Sequence, residues 1–288
     1  MVRVLVTGAG GLLSSKLTAA FSEEYEVVPT QHSMPMDPRA LVMNIVDRME
    51  VFRVISEVSP QIVVHAAAAT EVDKCETNKE WAWNVNAIGT KNVAEACSKI
   101  KARLIYVSTD YVFDGTKGLY NENDETKPIN YYGLTKLQGE EFVKQLQNFV
   151  IARTSVIYGW HPRKLNFATW VIDSLRNRKM VSVVRDHYNS PTLADDLAKI
   201  LEKILRTDEC GIYHAAGSER VSRYEFALKI AEVFELDRSL VKPVRMEDLK
   251  TWIARRPRDS SLSVDKLKKQ HITSSDLAKS LQRMKSQI

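Results

Sequence analysis

The sequence predicts an α/β fold: a Rossmann-like doubly wound parallel sheet followed by a smaller C-terminal lobe. Two observations predict it. Short apolar segments alternate with helical patterns through residue 153, and a glycine-rich turn follows the first segment. Strands and helices that alternate in this way pair in parallel through right-handed crossovers. We expect the sheet domain to span residues 1–160 and the lobe mainly residues 161–288, with some segments returning to the sheet.

Each expected strand is short and rich in apolar or β-branched residues, and each expected helix carries apolar residues on one face. The strands are expected at residues 2–6, 25–29, 41–45, 61–65, 103–108 and 149–153. Helices are expected at residues 12–21, around 51–58, in one long segment through Trp81 and Ala96, and at 132–146. Two later helices have start signals: Thr192 precedes one, and Ser222 has a capping-box spacing to Glu225 in the other.

The composition excludes several classes of protein. Of the 288 residues, 44% are hydrophobic and 27% charged, which excludes a disordered or fibrous chain. Three scattered cysteines do not form a disulfide framework, so we expect buried or half-buried thiols. The six histidines lie far apart, so no metal site is expected. Because there is no membrane-length apolar run and no recognisable signal peptide, we expect a cytoplasmic protein.

The net charge of +5 is unevenly distributed. Residues 238–288 contain 13 lysines and arginines but five acids, a net of +8 that leaves −3 for the rest. Such a surplus suits a nucleic-acid or membrane surface, a pocket for an anionic small molecule, or a solvated helical tail. Charge alone leaves these alternatives open.

The glycine-rich turn lies between the first strand and the first helix, where backbone N–H groups are free to bind an anion. A Cβ atom there would keep a pyrophosphate from the backbone. The spacing is Gly8-x-x-Gly11-x-x-Ser14, with serine at the third small position, where the helix packs closely on the strand. The expected dinucleotide contacts are Gly8, Gly10, Gly11, Leu12 and Leu13.

The end of the second strand indicates which dinucleotide would bind. In this fold an acid about 20 residues after the glycine turn often binds the adenosine 2′-hydroxyl of NAD. Here the strand ends near His32 and Ser33, and no acid occurs before Asp37. Since a carboxylate would repel a 2′-phosphate, its absence favours NADP(H) over NAD(H). His32, Ser33 and Arg39 are the candidate phosphate ligands.

A tyrosine and a lysine four residues apart suggest proton transfer. Tyr132 and Lys136 share one helix face, and a nearby ammonium lowers the pKa of a phenol toward a useful range. The pair suits carbonyl reduction, with hydride from a nicotinamide and a proton from tyrosine. Ser108 and Thr109 end the fifth strand, where either hydroxyl can bind the carbonyl oxygen. Tyr131 has no lysine at the same spacing.

These motifs resemble those of extended short-chain dehydrogenases/reductases, in particular the dTDP-4-dehydrorhamnose reductase family, along nearly the whole chain. Two strings are specific in combination: Ser-Thr-Asp-Tyr-Val-Phe-Asp-Gly at residues 108–115 and Pro-Ile-Asn-Tyr-Tyr-Gly-Leu-Thr-Lys at residues 128–136. The other motifs are the glycine turn, Ala-Ala-Ala-Ala-Thr-Glu-Val-Asp at 66–73, Asn86-Ala87, Arg-Thr-Ser at 153–155, Ser-Pro-Thr at 190–192 and Arg-Pro at 256–257.

The resemblance implies a role for each matching residue. The catalytic positions would be Thr109 (rather than Ser108) for the hydroxyl, Tyr132 for the acid, and Lys136, which would lower the pKa of Tyr132 and hold the nicotinamide ribose. Further cofactor contacts would be Asn44 and Ile45 at the adenine, and Ala66, Ala67 and Ala68 after the fourth strand. The substrate-binding lobe and its neighbours would contribute Thr70, Asp110 and Tyr111 at the sugar and Arg256 at the diphosphate.

The family implies an NADP(H)-dependent reductase of a 4-keto-6-deoxy nucleotide sugar, of the dTDP-4-dehydrorhamnose to dTDP-rhamnose type, with hydride delivered to C4 and Tyr132 as proton donor. Two alternatives stay open: a non-catalytic, NADP-binding regulatory subunit of the methionine adenosyltransferase type, and a nucleotide-sugar epimerase or dehydratase. Neither nucleic acid nor a membrane is an expected partner.

The chain departs from the family at three positions. Val156 stands where many members carry a tryptophan beside the sugar, and Asp259 stands where asparagine is usual. Some bacterial members dimerise through magnesium held by acids, one of them at the place of Lys16. We therefore predict no such metal, while a homodimer stays a candidate assembly.

Overall fold

The computed structural model describes residues 1–33, 39–162 and 165–288. Its strands are β1 (Arg3–Thr7), β2 (Glu26–Gln31), β3 (Leu41–Val42), β4 (Ile62–His65), β5 (Arg103–Thr109), β6 (Phe149–Thr154), β7 (Ile157–Tyr158), β8 (Val181–Val184), β9 (Tyr188–Asn189), β10 (Thr192–Leu193), β11 (Gly211–His214), β12 (Val221–Ser222) and β13 (Val241–Val244). Its α-helices are α1 (Leu12–Phe21), α2 (Arg48–Val58), α3 (Val72–Thr77), α4 (Lys79–Trp83), α5 (Gly89–Ile100), α6 (Tyr131–Val143), α7 (Phe167–Arg176), α8 (Ala194–Leu205), α9 (Arg223–Val233), α10 (Asp265–Lys269) and α11 (Leu277–Lys285).

Seven strands form one parallel sheet in the order β11-β6-β5-β4-β1-β2-β3. The order of the strands reverses between β1 and β4, so the connections after these strands leave in opposite directions. In open α/β sheets a crevice opens at this point, at the carboxyl ends of the strands, and ligands bind there. The predicted doubly wound sheet is confirmed, and β11 is a segment that returns to it from beyond residue 160.

Each face of the sheet buries its own apolar core. Alternate residues of β1 point to opposite sides: Val4 and Val6 join a core with α1 and α8, while Leu5 joins a core with α2 and α5. These three strand side chains are fully buried. Each contributes about 1.5–3 kcal/mol relative to an exposed position. Helix layers on both faces therefore hold the carboxyl edge of the sheet rigid.

A third core lies in the C-terminal part of the chain. It packs α7, α9 and α11 against β8 and β13, with Phe226, Ile230 and Leu281 completely buried. Both α8 and β11 come later in the chain than β8 but pack with the parallel sheet. The chain thus passes between the two cores more than once, and the boundary near residue 160 stays a prediction. No helix within the described ranges is both long and apolar enough to cross a membrane.

Two predicted elements differ in the structure. The third strand ends at Val42, because Asn44 turns the chain by accepting a hydrogen bond from Val46 N at 3.1 Å. The long helix is broken at Asn78, whose side chain accepts from Trp81 N at 3.2 Å and starts a new helix. A π-helical segment, Asn84–Ile88, then precedes α5. Side-chain capping inside an apolar periodic segment therefore divides what periodicity alone predicts as one helix.

Two smaller expectations are wrong, and one is confirmed. Cys75 and Cys97 are buried, but Cys210 is exposed. Thr192 does not cap α8: its hydroxyl donates to Ser155 O at 2.8 Å and so lies inside β10. The predicted capping box at the start of α9, formed by Ser222 and Glu225, is present.

Replacing Ser222 with alanine should lower the free energy of unfolding by about 1 kcal/mol. The hydroxyl oxygen of the buried Ser222 side chain accepts from Glu225 N at 3.1 Å, and this N–H in the first turn of the helix would lose its partner. Chemical denaturation measures the change. The control is Ser56→Ala, an exposed position within α2, which should not lower stability. Equal unfolding free energies for wild type and Ser222→Ala would contradict the capping role.

Candidate active site

A cavity of about 1200 Å³ opens at the carboxyl edge of the sheet. Ligand pockets usually measure about 300–1,000 Å³, so this one has room for a large ligand or for two ligands together. The predicted site residues that line it are Gly8, Gly10, Gly11, Leu12, Leu13, His32, Ser33, Asn44, Ile45, Ala66, Ala67, Ala68, Thr70, Thr109, Asp110, Tyr111, Tyr132 and Lys136. The structure therefore brings together every predicted site residue except Arg256 and the candidate phosphate ligand Arg39, which are not in the described lining.

The glycine turn has the geometry of an anion cradle. Gly8 adopts φ +80°, and a Cβ atom there would lie 2.9 Å from Ala67 Cα. Gly11 precedes α1 with no side chain to cap it, and no acid occurs in the first helical turn. Ser14 Oγ donates to Thr7 O at 3.1 Å, so serine holds the helix against the strand. These features fit a dinucleotide pyrophosphate bound at the helix start.

A buried hydrogen-bond chain fixes the turn after β4. Thr7 Oγ1 accepts from the N–H groups of Ala66 and Ala67, at 3.1 and 3.0 Å. With both lone pairs used, Thr7 donates to His65 Nδ1 at 2.7 Å. His65 therefore carries its proton on Nε2, 3.1 Å from Thr90 Oγ1. Burial lowers the pKa of His65 to about 3, so this ring is a neutral structural group.

Asn86 joins that turn to the helix that carries the tyrosine and lysine. Its Oδ1 accepts from Ala69 N at 2.8 Å, and its Nδ2 donates to Ala69 O and to Thr135 Oγ1, both at 3.0 Å. Asn86 is fully buried in the π-helical segment. Its amide thus sets the distance between the cofactor side of the cavity and α6.

The start of α6 lies unusually close to the end of β5. Asn130 caps the helix by accepting from Gly133 N at 2.8 Å. A Cβ atom at Gly133 would lie 2.1 Å from Tyr111 O, so only glycine permits this approach. The rings of Tyr111 and Tyr132 meet edge to face, with 6.0 Å between their centroids. The two tyrosines therefore form one wall of the cavity.

Thr109, rather than Ser108, has its hydroxyl beside the tyrosine. Ser108 also lines the cavity, but its Oγ donates to Glu140 Oε1 at 2.6 Å. Thr109 Oγ1 accepts from Tyr111 N at 3.2 Å and donates to Asp110 Oδ1 at 3.1 Å. A hydrogen bond with Thr109 also acts on the phenol of Tyr132.

The expected lowering of the Tyr132 pKa by Lys136 is not found. Burial raises the pKa of Tyr132, and the hydrogen bond with Thr109 opposes this rise. The Lys136 ammonium instead donates to Val107 O at 2.9 Å and lies 4.2 Å from the centroid of the Tyr106 ring. A phenol with a raised pKa is protonated at neutral pH, which suits a proton donor.

Lys136 is itself a perturbed group. Burial lowers its pKa to about 7, while the Glu140 carboxylate one helical turn away raises it. Glu140 accepts from Arg153 through both oxygens, Nε at 3.0 Å and Nη2 at 2.7 Å. Neither side chain of this ion pair is more than 2% exposed. Sequence reasoning did not single out Glu140, because this acid has the spacing of an ordinary helix residue, and it quoted Arg153 only as part of the Arg-Thr-Ser motif, without this pairing.

Of the residues predicted to contact a substrate, Asp110 lines the cavity and Arg256 does not. Asp110 lines the cavity, but its Oδ2 accepts from Ser155 at 2.8 Å and from Ser260 at 2.5 Å, and burial raises its pKa. Arg256 does not line the cavity. Its guanidinium donates to both oxygens of Asp73, at 3.0 and 2.8 Å. Its role at a diphosphate stays a prediction.

Lys16 pairs with Asp195 at 3.1 Å. Among the residues that the structure describes, no group of three or more His, Cys, Asp or Glu side chains is arranged to hold a metal ion.

Sequence reasoning missed several residues on the cavity wall, among them Glu80, Trp81, Asn84, His161 and Arg223. Trp81 is partly buried and also packs on the cluster of Ala69, Cys75 and Ala82. Arg223 follows the cap of α9 directly and lies 91 positions after Tyr132, and nothing in its local sequence signals a place in the same cavity. Only the tertiary fold brings it there.

Comparison with known proteins finds relatives along nearly the whole chain. A family model described as RmlD substrate binding domain matches residues 2–288. The chain is 34% identical over 282 residues to dTDP-4-dehydrorhamnose reductase of Aggregatibacter actinomycetemcomitans, covering 93% of this chain and 92% of that protein. It is 32% identical to methionine adenosyltransferase 2 subunit beta of Xenopus tropicalis, covering 93% and 82%. The solved dTDP-4-dehydrorhamnose reductase of Bacillus anthracis, in complex with NADP, matches with a TM-score of 0.93 at 34% identity, covering 100% of both chains.

Glu140→Gln should move the pKa of Lys136 further below about 7, because the carboxylate that favours the ammonium is lost. The chemical shift of the Lys136 ε-carbon, followed against pH by NMR, reports this pKa. The matched control is Glu141→Gln, which removes an exposed acid paired with Lys144 at 2.7 Å and should leave the titration unchanged.

Since Glu140→Gln leaves the Arg153 charge buried without its partner, folding of this variant is checked first. If it does not fold, the double variant Glu140→Gln with Arg153→Gln removes both charges and is titrated instead. A Lys136 pKa equal to that of wild type in a folded variant would show that Glu140 does not act on it.

Proposed function

The chain belongs to the dTDP-4-dehydrorhamnose reductase (RmlD substrate binding domain) family, and from this we propose that it is an NADP(H)-dependent reductase of a 4-keto-6-deoxy nucleotide sugar. The observation that carries the proposal is the convergence of Thr109, Tyr132 and Lys136 on the cavity that also contains the glycine turn. A proton donor and a dinucleotide cradle in one cavity are what carbonyl reduction requires.

The catalytic roles follow from protonation states. A bound reduced nicotinamide supplies the hydride for C4 of the sugar. Tyr132 holds its proton at neutral pH because burial raises its pKa, and it donates that proton to the C4 oxygen. Lys136, with a pKa of about 7, lies one helical turn away, and its ammonium form would hold the nicotinamide ribose, as the family resemblance implies. Glu140 keeps a larger fraction of Lys136 in that charged form.

Thr109 orients the carbonyl. In the ligand-free arrangement its hydroxyl hydrogen points to Asp110, at 3.1 Å. To bind the C4 oxygen, the hydroxyl turns this hydrogen away from the acid. Asp110 does not lose its solvation when that happens, because Ser155 and Ser260 continue to donate to its other oxygen. Because of the two serines, Thr109 can exchange its hydrogen-bond acceptor at a small cost in free energy.

The rest of the site is assigned to the two ligands by position. The glycine turn, Asn44, Ile45 and the turn at Ala66–Ala68 would hold the dinucleotide; Thr70, Asp110 and Tyr111 line the part of the cavity beside Tyr132, where the sugar would lie. The preference for NADP(H) is supported by the absence of an acid at the end of β2 and by the NADP complex of the Bacillus anthracis relative. His32 and Ser33 are exposed at that end of the cavity. Arg39 is also exposed but is not part of the described lining.

The methionine adenosyltransferase subunit relatives supply a second candidate, an NADP-binding regulatory subunit. The complete set of Thr109, Tyr132 and Lys136 favours catalysis over that alternative. A cytoplasmic location and a homodimer stay predictions.

Tyr132→Phe should lower kcat for NADPH-dependent reduction of a dTDP-4-keto-6-deoxy sugar by roughly 10²–10⁴-fold, because the proton donor is lost. Tyr131→Phe, on the preceding residue, is the matched control and should keep wild-type kcat. NADPH oxidation followed by absorbance measures both. A wild-type protein without turnover would sink the reductase proposal, and co-purification with methionine adenosyltransferase would then support the regulatory alternative.

The cofactor preference has a separate test. NADPH should bind more tightly than NADH, because the 2′-phosphate meets no carboxylate at the end of β2. Titration of the protein with each dinucleotide, followed by fluorescence, gives the two dissociation constants. Equal values for NADH and NADPH would remove the proposed preference and leave the reductase proposal intact.

A further inference from the structure

Arg223 lies on the part of the cavity wall that α9 supplies. Its backbone N–H donates to His187 O at 3.0 Å, which fixes the start of the helix there. The guanidinium lies over the Phe167 ring, 4.9 Å from its centroid, and shares a hydrogen bond with the Tyr111 phenol. The side chain is therefore held in place by an aromatic ring on one side and a phenol on the other.

No carboxylate among the described residues lies within ion-pair distance of this guanidinium. Asp110 is the acid whose charge acts on it most directly. The Asp110 oxygens, however, already accept from neutral hydroxyls, those of Thr109, Ser155 and Ser260. A hydrogen bond to Tyr111 uses at most one of the five N–H donors of an arginine.

The basic groups nearby differ in how many of their donors are used. Arg256 gives two hydrogen bonds to Asp73 and a third to Ala254 O. Lys136 uses one of its three donors on Val107 O. Of the lysine and arginine side chains in the described lining, Arg223 thus keeps the larger number of unused donors. A half-buried guanidinium without a counter-charge loses hydration, and an anion bound in the cavity would compensate for that loss.

The position of Arg223 relative to Tyr132 indicates which part of a substrate would meet it. Tyr111 stands between them: its ring lies 6.0 Å from that of Tyr132, and its phenol bonds to Arg223. A substrate group bound at Arg223 would therefore be separated from C4, the atom that reacts beside Tyr132, by about the width of one ring. That separation fits a phosphate across the sugar from C4 better than a substituent on the next carbon.

We propose that Arg223 binds the diphosphate of the nucleotide sugar and is the main counter-charge for it in the cavity. The inference rests on the proposed function. It assigns to Arg223 the anion contact for which the family resemblance suggests Arg256. Planar guanidinium donors suit two phosphate oxygens at once, whereas a lysine offers a point charge.

The test is calorimetric titration of the NADPH-loaded protein with dTDP and with thymidine. Arg223→Gln should weaken dTDP binding by roughly tenfold to hundredfold, the range expected for lost hydrogen bonds to a charged group. Thymidine and NADPH should bind as to wild type. Arg223→Lys should recover part of the dTDP affinity. The matched control is Lys229→Gln, which removes one positive charge from the surface of the same helix, where it pairs with Glu232 at 3.0 Å.

Several outcomes would overturn the proposal. Unchanged dTDP affinity in a folded Arg223→Gln protein is one, and an equal loss for dTDP and thymidine, which would indicate a change of cavity shape, is another. Weaker NADPH binding with normal dTDP binding would assign the guanidinium to the cofactor. Loss of affinity for a dTDP-uronic acid but not for dTDP would assign it to a sugar carboxylate. Failure of the proposed function is read separately, as absence of turnover in a wild type that still binds dTDP through Arg223.

Discussion

The buried ion pair between Glu140 and Arg153 determines where the reactive groups stand. It joins α6 to β6, and the hydrogen bond from Ser108 adds β5 to the same point. Removing one partner of such a pair costs about 3–5 kcal/mol, because the other charge stays buried alone. Tyr132 and Lys136 lie on the helix that this pair holds. The positions of Tyr132 and Lys136 therefore depend on an ion pair that lies outside the described cavity lining.

Hydrogen bonds between uncharged groups fix a second part of the site, the turn after β4. His65, Thr7 and Asn86 fix the turn after β4 without any formal charge. Asp110 is solvated by hydroxyls rather than by a cation. Lys136 and Arg223 are the lysine and arginine side chains of the described cavity wall.

Much of this arrangement could be predicted from the sequence, because strand periodicity and the glycine turn are local patterns with a fixed place in a doubly wound sheet. The residues gathered at the carboxyl edge followed from that topology and from the family resemblance. The break of the helix at Asn78 and the raised pKa of Tyr132 could not be predicted, because both depend on which neighbours tertiary packing supplies. Arg223 was missed for the same reason: its role comes from Tyr111 and Phe167, far away in the sequence.

Because β11 pairs with β6 but comes much later in the chain, the sheet is incomplete during much of synthesis. Until residue 214 has left the ribosome, β6 has no partner on its outer side, and its backbone N–H and C=O groups form an unprotected sheet edge. Arg103, on β5, then binds the carbonyl groups of Leu205, Thr207 and Glu209 and fastens the segment that leads into β11. A nascent chain stopped near residue 160 would expose that edge to other chains, so aggregation during synthesis is a hazard that only the later segment removes.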